Sequence, residues 1–225
     1  MSWANTLVEH LMLRDLRKQF RRVCWVGDLP DFPANQPLIL YTNHHSFYDG
    51  YLIWLMAQRL LNRPVLTWME EWDRFPFFGA SGALPFPPDD AKRRAATLRH
   101  TARLFREKPE TLLFYFPEGK LHRPEEGILP FDGEVLVRLN RLFPAACWWP
   151  FGIHVTWWGE ALPTALLGGG RPHPQATGAE HAQLEAVWHT VRSAAPENTR
   201  VLLEGHASPN ESWNLSFLRR FFAPS

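Results

Sequence analysis

The sequence predicts an α/β fold, a single domain built as one mixed sheet flanked by helices. Short uncharged apolar runs of strand length alternate along the chain with longer segments of helical periodicity. Prolines, glycines and aspartates sit at the joints between these runs and give most segments a definite start or stop. The 225 residues, 45% of them hydrophobic, suffice to bury one full core.

The elements follow in order. Trp3 to Arg22 reads as a helix, with Leu7, Val8 and Leu11 on an apolar side and Arg14, Arg17, Lys18, Arg21 and Arg22 making its second half basic. Leu38 to Thr42, after Pro37, suits a buried strand that delivers Asn43 and His44 at its carboxyl end. Gly50 to Arg63 is helical and closes at Pro64, and Val65 to Met69 is the next strand. Ala91 to Glu107 is a helix behind Asp89 and Asp90, whose carboxylates can cap its free amides. Leu112 to Phe116 is a strand ending at the sequence PEG. Glu134 to Leu142 is a helix capped by Asp132, followed by a strand near Ala146 to Pro150. A flexible loop with GGGRPHP, Gly168 to Pro174, precedes a helix at Ala179 to Ala194 and a strand at Arg200 to Glu204. Within the one domain, residues 1–25 hold the N-terminal amphipathic helix, 38–155 the core, and 179–225 the last helix, strand and amphipathic tail.

Composition narrows the classes of function. A net charge of +1 gives no clustered basic excess for nucleic acid, which is excluded as a partner. Cys24 and Cys147 form neither a metal nor a redox spacing, so a reducing, intracellular setting fits best. Glu9, Arg14, Asp15, Arg17 and Lys18 break up any signal peptide. The longest uncharged run, Leu142 to Gly159, is interrupted by Pro144, Pro150, Gly152, His154 and Thr156 and reads as buried strand and loop, not a membrane span. Eleven tryptophans and sixteen phenylalanines fit either a membrane interface or an aromatic core.

Chemistry concentrates at two strand ends, NHHSFYD and PEG, where ligands of open α/β sheets gather. In the first, four residues separate His44 from Asp49. A strand-to-helix turn of that length can return the carboxylate to one imidazole nitrogen, leaving the other to accept a proton from a hydroxyl. Base catalysis of this kind supplies about 10²- to 10⁴-fold. By itself the spacing fits two unconnected surface or capping residues equally well. A metal site of His44, His45 and Asp49 is disfavoured, because adjacent histidines on an extended turn point apart and no HExxH or CxxC partner is present. His45 has no assigned role.

Four segments in order, NHHSFYD at Asn43 to Asp49, GALPF at Gly82 to Phe86, FPEG at Phe116 to Gly119 and WPFGI at Trp149 to Ile153, resemble the motif blocks of the glycerolipid acyltransferases, the lysophosphatidate and glycerol-3-phosphate acyltransferases. The first and third blocks are the specific ones. The resemblance implies that His44 is the catalytic base and Asp49 its partner, with an acceptor hydroxyl attacking the thioester of acyl-CoA or acyl carrier protein as co-substrate. No cofactor, metal or covalent acyl-enzyme is implied. Glu118 and Gly119 would lie in the acceptor pocket, Pro117 would hold the turn, and Pro150 would contribute apolar wall near the donor. Asn43, Ser46, Gly82 and Phe86, from the matched blocks, complete the implied substrate-binding set together with Lys120 and Arg123. The implied acceptor is a lysophospholipid such as 1-acyl-glycerol-3-phosphate.

The departures bear on that acceptor. Where the family carries a basic residue six positions after the second-block glycine, this chain has Pro88; where it carries arginine and serine after FPEG, Leu121 and His122 stand. Those arginines would hold a phosphate, for which a guanidinium is well shaped. Lys120 and Arg123 remain near the turn, with Lys92, Arg93 and Arg94 further off, so a lipid acceptor without phosphate stays open beside the phosphorylated one. A lipid-binding protein without turnover is a third reading, and a thioesterase a minor variant of the first. The basic N-terminal helix and WNLSFLRRFF, Trp213 to Phe222, suit a membrane surface as well as they suit packing on their own domain. The expected setting is a peripheral enzyme on the inner face of the cell membrane. Trp148, Trp149, Trp157 and Trp158 read as core in preference to an acyl channel, and Gly168 to Gly170 as a loop in preference to a phosphate cradle.

Overall fold

The structure is a computed structural model that describes residues 3–33 and 35–210. Eight strands form one sheet: β1 (Arg22–Val26), β2 (Leu38–Thr42), β3 (Val65–Met69), β4 (Ala83–Pro85), β5 (Leu112–Tyr115), β6 (Cys147–Thr156), β7 (Thr164–Gly169) and β8 (Thr199–Glu204). Their order across the sheet is β4-β3-β5-β2-β6-β7-β1-β8. The first five in that order run parallel, β6 and β7 pair antiparallel, β1 is parallel to β7, and β8 closes the edge antiparallel to β1. The sheet is therefore mixed, as the sequence predicts.

Among the described residues five α-helices cover it: α1 (Trp3–Gln19), α2 (Asp49–Met56), α3 (Ala91–Glu107), α4 (Gly133–Leu142) and α5 (Glu180–Arg192). Successive strand residues point to opposite faces, and β2 divides its side chains accordingly. Leu38 and Leu40 join α1 and α2 through Val8, Met12, Leu16, Leu52 and Ile53. Ile39 and Tyr41 join α3, α4 and α5 through Phe105, Leu136, Leu139, Leu184 and Trp188. All five β2 residues are buried, which fixes its register against slippage.

The capping expectations hold at α3 and α4. The Asp90 carboxylate accepts from the Arg93 N–H at 2.8 Å, and the Asp132 carboxylate from the Glu134 N–H at 2.8 Å. Other expectations need correction. The first helix stops at Gln19, because Arg22 to Val26, with Val23, Cys24 and Trp25 buried, pair as a strand between β7 and β8. The helix after β2 turns into a π-type stretch at Ala57–Leu61 and ends at Asn62, which takes a left-handed φ of 50° ahead of Pro64. The strand placed at Ala146 to Pro150 runs on to Thr156. Gly168 and Gly169 belong to β7 and are not a loop. A Cβ on Gly169 would overlap the Trp149 indole, so the glycine lets that ring lie flat on the neighbouring strand.

Trp148 and Trp149 are fully buried core, whereas Trp157 is exposed. Cys24 and Cys147 are free, buried thiols. Among the described residues no helix is long and apolar enough to cross a membrane. The tail Trp213 to Phe222 lies outside the described residues.

Candidate active site

His44 follows the carboxyl end of β2 by two residues, and Asp49 is the first residue of α2. Between them the chain makes a tight turn, closed by the Asp49 N–H donating to the Ser46 carbonyl at 3.1 Å and the Tyr48 N–H to the Ser46 hydroxyl at 3.2 Å. This turn brings the Asp49 Oδ2 to 3.0 Å from the His44 Nδ1, and the same oxygen accepts the backbone N–H of His45 and of Ser46 at 2.8 Å each. Asp49 is wholly buried, and among the described residues its Oδ1 has no hydrogen-bond partner and no Lys or Arg pairs with it. Burial pushes its carboxyl above the usual carboxylate range, against the opposing pull of His44 and the two amides.

The network assigns the tautomer. Nδ1–H of His44 donates to Asp49, which leaves Nε2 as a proton acceptor. The ring stacks on Phe116, with centroids 4.0 Å apart and an interplanar angle of 19°, and is 25% exposed. An imidazole held this way can take a proton from a bound hydroxyl, and the carboxylate behind it stabilises the cation that results.

A cavity of about 590 Å³ opens beside His44 at the carboxyl ends of β2, β3 and β5. Its walls are mostly aromatic, with Phe47, Tyr51 and Trp54 from the turn and α2, Phe78 and Phe86 from the β4 side, and Phe116 beyond β5. Polar groups reach it from Thr67, Glu70, Glu71, Ser81 and Lys120.

Four of the sequence-predicted residues line this cavity: His44, Phe86, Gly119 and Lys120. The others lie outside its lining, and several carry structural duties. The Glu118 side chain is fully enclosed and accepts three hydrogen bonds, from the His44 N–H at 2.7 Å, the Leu129 N–H at 2.8 Å and His122 Nε2 at 2.8 Å. With both oxygens engaged it organises the loop and lies outside the cavity lining. Asn43 is buried, exchanging two 2.9 Å bonds with the Ile153 backbone and donating to His45 Nδ1. Gly82 has a φ of 98°, and a Cβ there would overlap the Val65 carbonyl, so backbone packing requires the glycine. Pro150 sits in β6 beside Tyr41 and packs towards Gly170 near α5, away from the cavity wall expected of it. Ser46 shapes the turn, and neither Pro117 nor Arg123 reaches the cavity.

His45 is not idle. Its Nδ1 accepts from Asn43 at 3.0 Å and its Nε2–H donates to the Gly127 carbonyl at 3.0 Å, while burial holds its pKa below the ordinary value. His45, Glu118 and His122 bring possible metal-ligand atoms within 4.8 Å of one another. Protein hydrogen bonds already engage both nitrogens of His45 and both oxygens of Glu118, as well as His122 Nε2, so the cluster reads as a knot that fastens the loop. Sequence reasoning missed this knot and the aromatic walls. The Tyr51 and Trp54 spacing on α2 and the FPFF run before Gly79 were the available signals.

Residues 25–145, just over half of the chain, match the model of the family described as Acyltransferase. The chain belongs to this family, that of the glycerolipid acyltransferases. No curated protein and no solved structure matches it.

Proposed function

We propose that the protein transfers a fatty acyl chain from an acyl thioester, acyl-CoA or acyl carrier protein, to a lipid hydroxyl, with His44 as general base and Asp49 as its orienting carboxylate. The observation that carries this reading is the free Nε2 of a carboxylate-anchored histidine on the wall of an aromatic cavity. His44 Nε2 accepts the hydroxyl proton as the acceptor oxygen attacks the thioester carbonyl. The carbon–sulfur bond then breaks, and the departing thiolate takes the proton back from the imidazolium. Neither a covalent acyl-enzyme nor a metal enters these steps. The cavity's apolar walls suit an alkyl chain.

The lipid substrates place the cavity mouth at a membrane surface in this reading. Phe47 and Leu121 line the cavity and are largely exposed, and the exposed Phe77 packs against Phe78 of the wall, ring centroids 4.4 Å apart. Apolar side chains around a lipid-sized opening favour the headgroup boundary. Helix α1 packs Val8, Met12 and Leu16 onto the core, while its first turns expose Trp3 and Leu7.

The test is the identity of the product. With labelled acyl-CoA or acyl carrier protein and a lipid acceptor, the label is expected in an ester of the acceptor. Label recovered only as free fatty acid, whether or not acceptor is present, would replace this reading with a thioesterase.

A further inference from the structure

The cavity also carries information about the acceptor head group. Of the described residues that line it, Lys120 is the only cation, and it shares the lining with Glu70 and Glu71. Two guanidiniums of α3 are already committed, and Arg123 does not reach the cavity lining. Arg93 is bound at both ends to Asp73, at 2.6 and 2.7 Å, and Arg94 donates to the Pro87 and Pro88 carbonyls. Of the positions where the resembling family carries cations, residue 88 is a proline and residue 121 a leucine; His122, in the serine position, is turned inward onto Glu118. A phosphate held by strong sites is met by planar, bidentate donors, and here it would meet carboxylates.

What the cavity does offer fits a different head group. Glu70 and Glu71 are hydrogen-bond acceptors, and the Thr67 and Ser81 hydroxyls, whose own protons go to the Phe114 and Phe78 carbonyls, add further acceptor oxygens. Trp68 and Phe86, stacked on each other with centroids 5.0 Å apart and both on the lining, add apolar aromatic surface, and the Trp68 indole is anchored to Thr101 at 3.1 Å. Glu71 lies 3.5 Å from Arg74, whereas Glu70 has no ion-pair partner among the described residues. Glu70 follows directly on β3, at the strand's carboxyl end.

Resting on the acyl-transfer reading above, we infer that the acceptor is an uncharged lipid with a polyhydroxyl head group, a glycerol or a sugar without phosphate, and that Glu70 selects it. Several hydroxyls can donate to the two carboxylates and to the threonine and serine oxygens, while the apolar side of the head group packs against the Trp68–Phe86 pair. A phosphate monoester placed among the same groups loses its water and gains a single ammonium set against two carboxylates.

Acceptor-dependent thiol release would be measured with acyl-CoA and with acyl carrier protein, using 1-monoacylglycerol, an alkyl glucoside and 1-acyl-glycerol-3-phosphate as acceptors. The protein would be compared with Glu70→Gln and Glu70→Lys. An uncharged acceptor is expected to exceed the phosphorylated one by at least about tenfold in kcat/KM, a difference of about 1.4 kcal/mol. In Glu70→Lys that preference is expected to narrow at least fivefold, through a lower KM for the phosphorylated acceptor. Glu70 is exposed, so the charge reversal leaves the core untouched. Preference of the unsubstituted protein for the phosphorylated acceptor would overturn the inference and leave acyl transfer standing. An unchanged ratio in Glu70→Lys would overturn the role given to Glu70. No release with any acceptor or donor would instead remove the acyl-transfer reading on which the inference rests.

Discussion

The buried carboxylate of Glu118 accepts the backbone N–H of His44 at 2.7 Å, and the backbone N–H of His122 donates to the His44 carbonyl at 3.1 Å. The peptide flanking the candidate base is thus held on both sides by one loop, and Glu118 closes the circle by accepting from His122 as well. A side chain placed this way fixes where the imidazole stands without touching what binds beside it. Glu118→Ala removes the acceptor of three hydrogen bonds, two from backbone N–H groups and one from His122, and is expected to lower stability by about 2–4 kcal/mol, and Glu118→Gln by less. In a folded Glu118→Gln protein kcat is expected to fall while acceptor KM stays near the unsubstituted value. Urea unfolding and steady-state kinetics read both. A rise in KM alone would return Glu118 to the acceptor pocket.

Asp49 is expected to trade stability for activity. Its charge is buried, its Oδ1 is unpaired, and burial pushes its carboxyl pKa upward. Asp49→Asn removes the buried charge while keeping an oxygen for the two turn amides. The variant is expected to be as stable as the unsubstituted protein or more so, yet about 10²- to 10⁴-fold slower. Loss of both stability and activity would mark Asp49 as a purely structural residue.

Acid is expected to act through His154. Burial, with a contribution from Arg192, lowers its pKa from 6.5 to about 4, and its Nδ1 is buried without a partner. Between those two values the unfolded chain binds the proton and the folded protein does not, so stability is lost as pH falls from 6.5 towards 4. Linkage puts the loss at about 1–2 kcal/mol between pH 7 and pH 5. In His154→Leu that part of the slope is expected to vanish, as denaturant unfolding at the two pH values would show. An equal slope in the variant would assign the effect elsewhere, with the similarly lowered His45 the next candidate.

Membrane docking is expected to depend on the cavity rim. Replacing Phe47 and Leu121 together by serine removes two exposed apolar side chains beside the opening. Cosedimentation with phospholipid vesicles should weaken about tenfold, equivalent to about 1.4 kcal/mol of lost apolar burial. Unaltered vesicle binding would move the contact to another surface.

Particular residues show how far the sequence could be read. β2, β3 and β5 were legible because each is an uncharged, largely apolar run bounded by proline, polar motif or turn, whereas the His44–Asp49 spacing left the contact open and the resemblance of NHHSFYD to a family motif favoured it. β1 was hidden, since Arg21 and Arg22 continue the basic half of α1 and only tertiary pairing with β7 and β8 ends the helix at Gln19. β7 was hidden by glycines that look like a loop until the Trp149 indole they accommodate is placed. Glu118 was noticed for the right loop but given the wrong neighbour. Its partner His122 stands where the resembling family has serine, and the sequence shows that as a departure, whereas the structure shows a hydrogen-bonded pair. The cavity walls draw on five separate segments, and no single stretch of sequence carries their convergence.

The most direct test of the account is the rate of thiol release from acyl-CoA and acyl carrier protein in the presence of a lipid acceptor, compared between the unsubstituted protein and His44→Ala. Loss of about 10²-fold or more in a variant that keeps its circular dichroism spectrum is the expected result. Equal rates in the two proteins would contradict His44 as the base and with it the mechanism built on its pairing with Asp49.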